Sequence, residues 1–144
     1  MERFAQVGIA LSALGVVLAM MGLFPGVTGV DPTIGIGIVQ VILLLIGYAL
    51  LMSGALLYVK CMFYLRQSAT LAQSVGVRLA LTGLLFAGLS GFADLFGFGS
   101  HIRTIDSDIF FGSWQAFGLI ASFVISAVGV MLYALAGTPR LPHE

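Results

Sequence analysis

Charge is what this chain has least of: Asp, Glu, Lys and Arg together make up 8% of its 144 residues, six cations against six acids. A water-soluble domain carries about a quarter charged residues, and a nucleic-acid-binding surface needs clustered cations. The composition therefore excludes both. Cysteine is nearly absent too, with Cys61 alone, so no intramolecular disulfide framework exists. The two histidines, His101 and His143, fall outside every long apolar run, which argues against histidine ligation of a buried haem or chlorophyll. Nucleophile elbows, phosphate-binding loops, metalloprotease helices and cysteine pairs are all missing, and no enzymatic activity or cofactor is expected.

What the chain has in abundance is apolar surface, 60% of residues, with a mean hydropathy of +1.12. Four apolar stretches, at about 4–23, 36–59, 77–95 and 114–135, reach the roughly 20 residues that a helix needs to cross a hydrocarbon core about 30 Å thick. Barrel strands would alternate apolar and polar residues, and these stretches do not. The fold class expected is an all-α integral membrane four-helix bundle, one transmembrane domain over 1–144. Its outer loops are 24–35 and 96–113, its inner loop 60–76 and its inner tail 136–144. Pro25, Pro32 with Gly35, and Pro139 with Pro142 punctuate the helix ends.

Cation placement sets the expected orientation. With both termini inside, Arg3, Lys60, Arg66, Arg78 and Arg140 lie on the inner side and only Arg103 on the outer. The positive-inside rule reads this as cytoplasmic N- and C-termini, in a bacterial-type plasma membrane. The apolar run after Arg3 continues to about Phe24, beyond the 7–15 residues of a signal-peptide core, which favours a retained first helix.

A shift of 75 residues superposes Gly37, Gln40, Gly54 and Tyr58 on Gly112, Gln115, Gly129 and Tyr133. A shift of 72 places Leu23 and Phe24 on Leu95 and Phe96, and Ala19 on Gly91, which makes the second outer loop three residues longer. The reading is a duplicated helical hairpin, its copies related by a pseudo-two-fold axis along the membrane normal.

Small residues line the helices. In the first, Ala5, Gly8, Ser12, Gly15, Ala19 and Gly22 form a seam at alternating spacings of three and four, which admits a close neighbouring backbone. Similar lines run through Gly76, Ala80, Gly83, Ala87 and Gly91, and through Gly118, Ser122, Ser126 and Gly129. Such seams serve either packing within the bundle or docking onto a homo-oligomer or larger membrane complex.

Few polar groups sit near bilayer depth. Gln40 and Gln115 are candidates for hydrogen bonds between helices or for lining a shared cavity. Asp94 is expected as an interfacial acid at the outer end of the third helix. In the second outer loop His101, Asp106 and Asp108 have the chemistry of metal ligands, but their spacing fits no established metal motif, and a solvated loop is the ordinary reading.

Two functional readings follow. One is a non-catalytic structural or accessory subunit, in contact with membrane lipids and with other membrane chains but not with nucleic acid. The other is a small homo-oligomeric channel or transporter for a neutral solute, with Gln40, Gln115 and Asp94 as the polar contacts near its path. The lack of ionisable groups in the central thirds of the helices favours the first, because routes for protons or ions normally keep one.

Overall fold

The computed structural model describes residues 2–24, 26, 37–64, 67–94, 96–98 and 112–137. Among them the chain forms four helices and no strand: α1 (Glu2–Leu23), α2 (Ile38–Phe63), α3 (Leu71–Gly91) and α4 (Ser113–Leu135). With 22, 26, 21 and 23 residues, they extend about 32 to 39 Å at 1.5 Å per residue. All four are long and apolar enough to cross a membrane. Their outward faces carry large apolar side chains such as Leu85, Phe86, Ile120 and Val124, each at least half exposed apart from lipid. In water a surface of this kind would aggregate, whereas in a bilayer it is the solvated face.

The boundaries of α3 differ most from the expected 77–95. Thr70 caps the helix: its hydroxyl accepts from the Gln73 N–H at 3.2 Å, and the Gln73 side-chain oxygen accepts from the Thr70 N–H at 3.0 Å. This reciprocal capping box satisfies two donors at once and starts the helix six residues before its apolar stretch. α2 also continues past 59 to Phe63, so Lys60 lies on a helix and the expected inner loop at 60–76 contracts from both ends. At its other end α3 stops at Gly91, and Asp94 falls in the turn that follows.

Each hairpin is closed by small residues. α1 lies antiparallel on α2, and a Cβ added to Gly8 would sit 2.8 Å from the Tyr58 nitrogen and 2.9 Å from the Gly54 oxygen. Gly15 faces the backbone of Gly47 and Leu51 in the same way. α3 lies antiparallel on α4, where a Cβ on Gly76 would sit 2.7 Å from the Gly129 oxygen and 2.8 Å from the Tyr133 nitrogen. Gly83 faces the backbone of Ser122 and Ser126. Backbones this close gain dispersion contacts that lipid tails cannot match.

The two sets of contacts correspond one for one. A shift of 68 carries Gly8 and Gly15 onto Gly76 and Gly83, while a shift of 75 carries Gly47, Leu51, Gly54 and Tyr58 onto Ser122, Ser126, Gly129 and Tyr133. The sequence alignment of the first helices at 72 is therefore not the contact register, in which Ala19 corresponds to Ala87 instead of Gly91. Connection lengths agree with this, since 14 residues separate α1 from α2 and 21 separate α3 from α4, a difference of seven in place of three.

The hairpins meet mainly through α2, which touches both α3 and α4. Leu44, Ala87 and Leu119 form the buried cluster there, with Leu45 and Phe123 against it. Near the middle of both helices the Tyr48 ring stacks on Phe123, with centroids 3.9 Å apart, and the Tyr48 hydroxyl donates to the Phe123 carbonyl at 2.5 Å.

Candidate functional site

The seam residues of α1 face α2 within the chain. Gly8, Gly15 and Gly22 lie over the α2 backbone, Ala19 packs against Gly47, and Ser12 against Gly54. The Ser12 hydroxyl donates to the Leu51 carbonyl at 3.5 Å, a long bond. The second hairpin has stronger polar ties, with Ser126 donating to the Ala80 carbonyl at 2.9 Å and Gln73 to that of Tyr133 at 3.4 Å.

Gln40 and Gln115 sit at equivalent points, three residues past Gly37 and Gly112, which precede the first residues of α2 and α4. Each turns its side-chain oxygen back to accept from that glycine's N–H, at 2.8 Å and 2.6 Å. Their first role is therefore to cap their own helices, satisfying a donor that would otherwise face lipid or the protein interior. They differ in one respect. Gln115 is 4% exposed and its amide nitrogen has no hydrogen-bond partner among the described residues, while Gln40 is half-buried.

Asp94 is 6% exposed, buried against the protein in the turn that follows α3, at the far end of the bundle. The residues His101, Asp106 and Asp108 lie outside the described residues. Among the described residues no three His, Cys, Asp or Glu side chains gather into a set fit for a metal ion.

A concavity lies at the opposite end, where α2 finishes and α3 begins. It is a partly open cleft of about 610 Å³. Leu56, Leu57 and Val77 form its apolar walls, Gln73 and Tyr133 its buried floor, and Lys60 and Arg78 stand exposed at its sides. Several polar groups of the lining are already engaged. Gln73 bonds both the α3 cap and the Tyr133 carbonyl, the Ser74 hydroxyl donates to the Thr70 carbonyl at 3.1 Å, and the Tyr64 hydroxyl donates to the Ala134 carbonyl at 2.7 Å. Tyr64 also meets Tyr133 edge to face with centroids 6.1 Å apart. What the cleft offers a visitor is two cations beside an apolar slot. The sequence places Lys60 and Arg78 on the same inner side but does not show the cleft, because hydropathy puts a long loop at 60–76 between them. The Thr70 and Gln73 capping pair is the signal that shortens this loop and sets Gln73 and Ser74 on a helix facing the end of α2.

No family model matches the chain, and no curated protein or solved structure is significantly similar to it.

Proposed function

We propose that this chain is a non-catalytic structural or accessory membrane subunit, built as a duplicated hairpin and seated with both termini on the cytoplasmic side of a bacterial-type plasma membrane. The observation that carries the reading is how the polar and small residues of the spans are used: they close the two hairpins on themselves, and a tyrosine and a phenylalanine fill the centre between them. That arrangement suits a packed body better than a conduit. Its partner is a second copy or a larger membrane complex.

Duplication is supported by the one-for-one contacts at shifts of 68 and 75, and by the residues that meet between the hairpins. Tyr48 stacks on Phe123, its own counterpart at a shift of 75, and Leu44 shares a cluster with Leu119, its counterpart at the same shift. Equivalent residues meet each other where a two-fold axis passes, as in an isologous dimer interface. The five-to-one division of cations supports the orientation.

One observation favours the second reading, a homo-oligomeric path for a neutral solute: at the far end the Gln115 amide nitrogen is buried without a partner among the described residues. Extraction into native lipid particles followed by mass determination separates the two. The accessory reading predicts a stoichiometric complex with no solute flux in liposomes. A lone homo-oligomer that conducts a neutral solute overturns it.

A further inference from the structure

We propose that the cleft between the end of α2 and the start of α3 binds one anionic phospholipid, its phosphate held by Lys60 and Arg78 and an acyl chain lying along Leu56, Leu57 and Val77. Three observations converge on this occupant. The first is charge without compensation: no acidic residue is among those described as lining the cleft, and neither cation forms an ion pair among the described residues. The second is depth. Arg78 lies two turns inside α3, a helix apolar and long enough to span the membrane, and at the start of its apolar stretch, where a guanidinium without a counter-ion keeps a cost that falls toward the membrane surface. A phosphate oxyanion removes that cost, because arginine offers a planar fork of donors that matches phosphate. The third is shape. On α2 the apolar Leu56 and Leu57 sit about one turn deeper than Lys60, and on α3 Val77 and Arg78 stand at about that same depth. A ligand with an anionic head beside Lys60 and a hydrocarbon tail running inward along Leu56, Leu57 and Val77 meets complementary groups, and the long arginine side chain is able to reach back to the head.

A volume of about 610 Å³ is too large for a free phosphate and takes a headgroup with the first part of a chain. Gln73, Ser74 and Tyr64 are committed to protein carbonyls or caps, and the two cations are the charged groups that face an anionic head. Basic pockets between spanning helices at the cytoplasmic side are where anionic headgroups bind in general.

Native mass spectrometry of the full chain, stripped of lipid in detergent and titrated with phosphatidylglycerol, phosphatidylcholine or inorganic phosphate, tests the proposal. Wild-type protein should retain one phosphatidylglycerol in preference to phosphatidylcholine. The double variant Lys60→Gln with Arg78→Gln should bind it about 30-fold more weakly, the effect expected of two cations at an anionic lipid surface. Arg3→Gln, an exposed cation on α1, should leave binding unchanged. Equal retention of both lipids overturns the proposal, as does displacement of phosphatidylglycerol by millimolar phosphate, which would identify a free-anion site. The wild-type headgroup comparison decides the matter even where the double variant fails to fold.

Discussion

At the scale of single residues, glycine has two different roles in this protein, and the difference lies in what faces it. A Cβ on Gly15 would meet the backbone of Leu51 and Gly47, atoms that move only if α1 and α2 separate. A Cβ on Gly88 would find nothing within 4 Å. The same substitution should therefore have opposite signs at the two sites. Gly15→Ala is expected to destabilise by about 1 to 3 kcal/mol through overpacking. Gly88→Ala should stabilise by about 0.5 to 1 kcal/mol, because alanine has less backbone entropy to lose in a helix. Equilibrium unfolding of both variants in mixed micelles checks the pair, and equal shifts would refute the assignment of Gly15 to a helix contact. The seam itself was visible in the sequence as a repeated small-residue spacing. Which neighbour it faces was not, because spacing describes a face of one helix and contains nothing about the helix opposite.

Capping governs the element scale. Hydropathy located all four helices, since runs of this length have no other way to satisfy their backbone in lipid. It misplaced the start of α3 because Gln73 and Ser74 depress the apolar signal where the helix is already under way. The first turn of α3 is fixed by Thr70, whose hydroxyl accepts from the Gln73 N–H and also donates to the Ala136 carbonyl at 3.1 Å. Thr70→Ala should cost about 1 kcal/mol, a usual loss for an N-cap hydroxyl, and Thr70→Ser should restore most of it. Unfolding midpoints of the two variants test this. An unaffected Thr70→Ala protein would mean that α3 begins elsewhere. The glutamines at 40 and 115 belong to the same lesson. As intramembrane amides they looked like links between helices, yet three residues past a glycine that precedes a helix an amide reaches its own helix start first.

For the whole molecule, the account turns on self-sufficiency. Small-residue seams close each hairpin, and α2 joins the hairpins by packing Leu44 and Tyr48 beside Leu119 and Phe123. Large apolar side chains are left outward for lipid or for a partner. The matching order of glycine, glutamine, glycine and tyrosine at the start of and along α2 and α4 is a feature of the sequence itself. The cleft is not, because it forms only where α2, α3 and α4 come together, and no single stretch of chain contains it.

Paired-cysteine cross-linking in the membrane tests that self-sufficiency most directly. Tyr48→Cys and Phe123→Cys are introduced together in a Cys61→Ser chain, replacing rings that stack on each other. Because the Tyr48 hydroxyl reaches the Phe123 backbone carbonyl, the two backbones stand about a tyrosine side chain apart, beyond a direct disulfide, and a short bifunctional thiol reagent is used. The account predicts that this reagent removes both thiols from maleimide labelling while the chain still runs as a monomer. Thiols that stay reactive, or a covalent dimer as the main product, would contradict it, the first by separating α2 from α4 and the second by placing their contact between two copies.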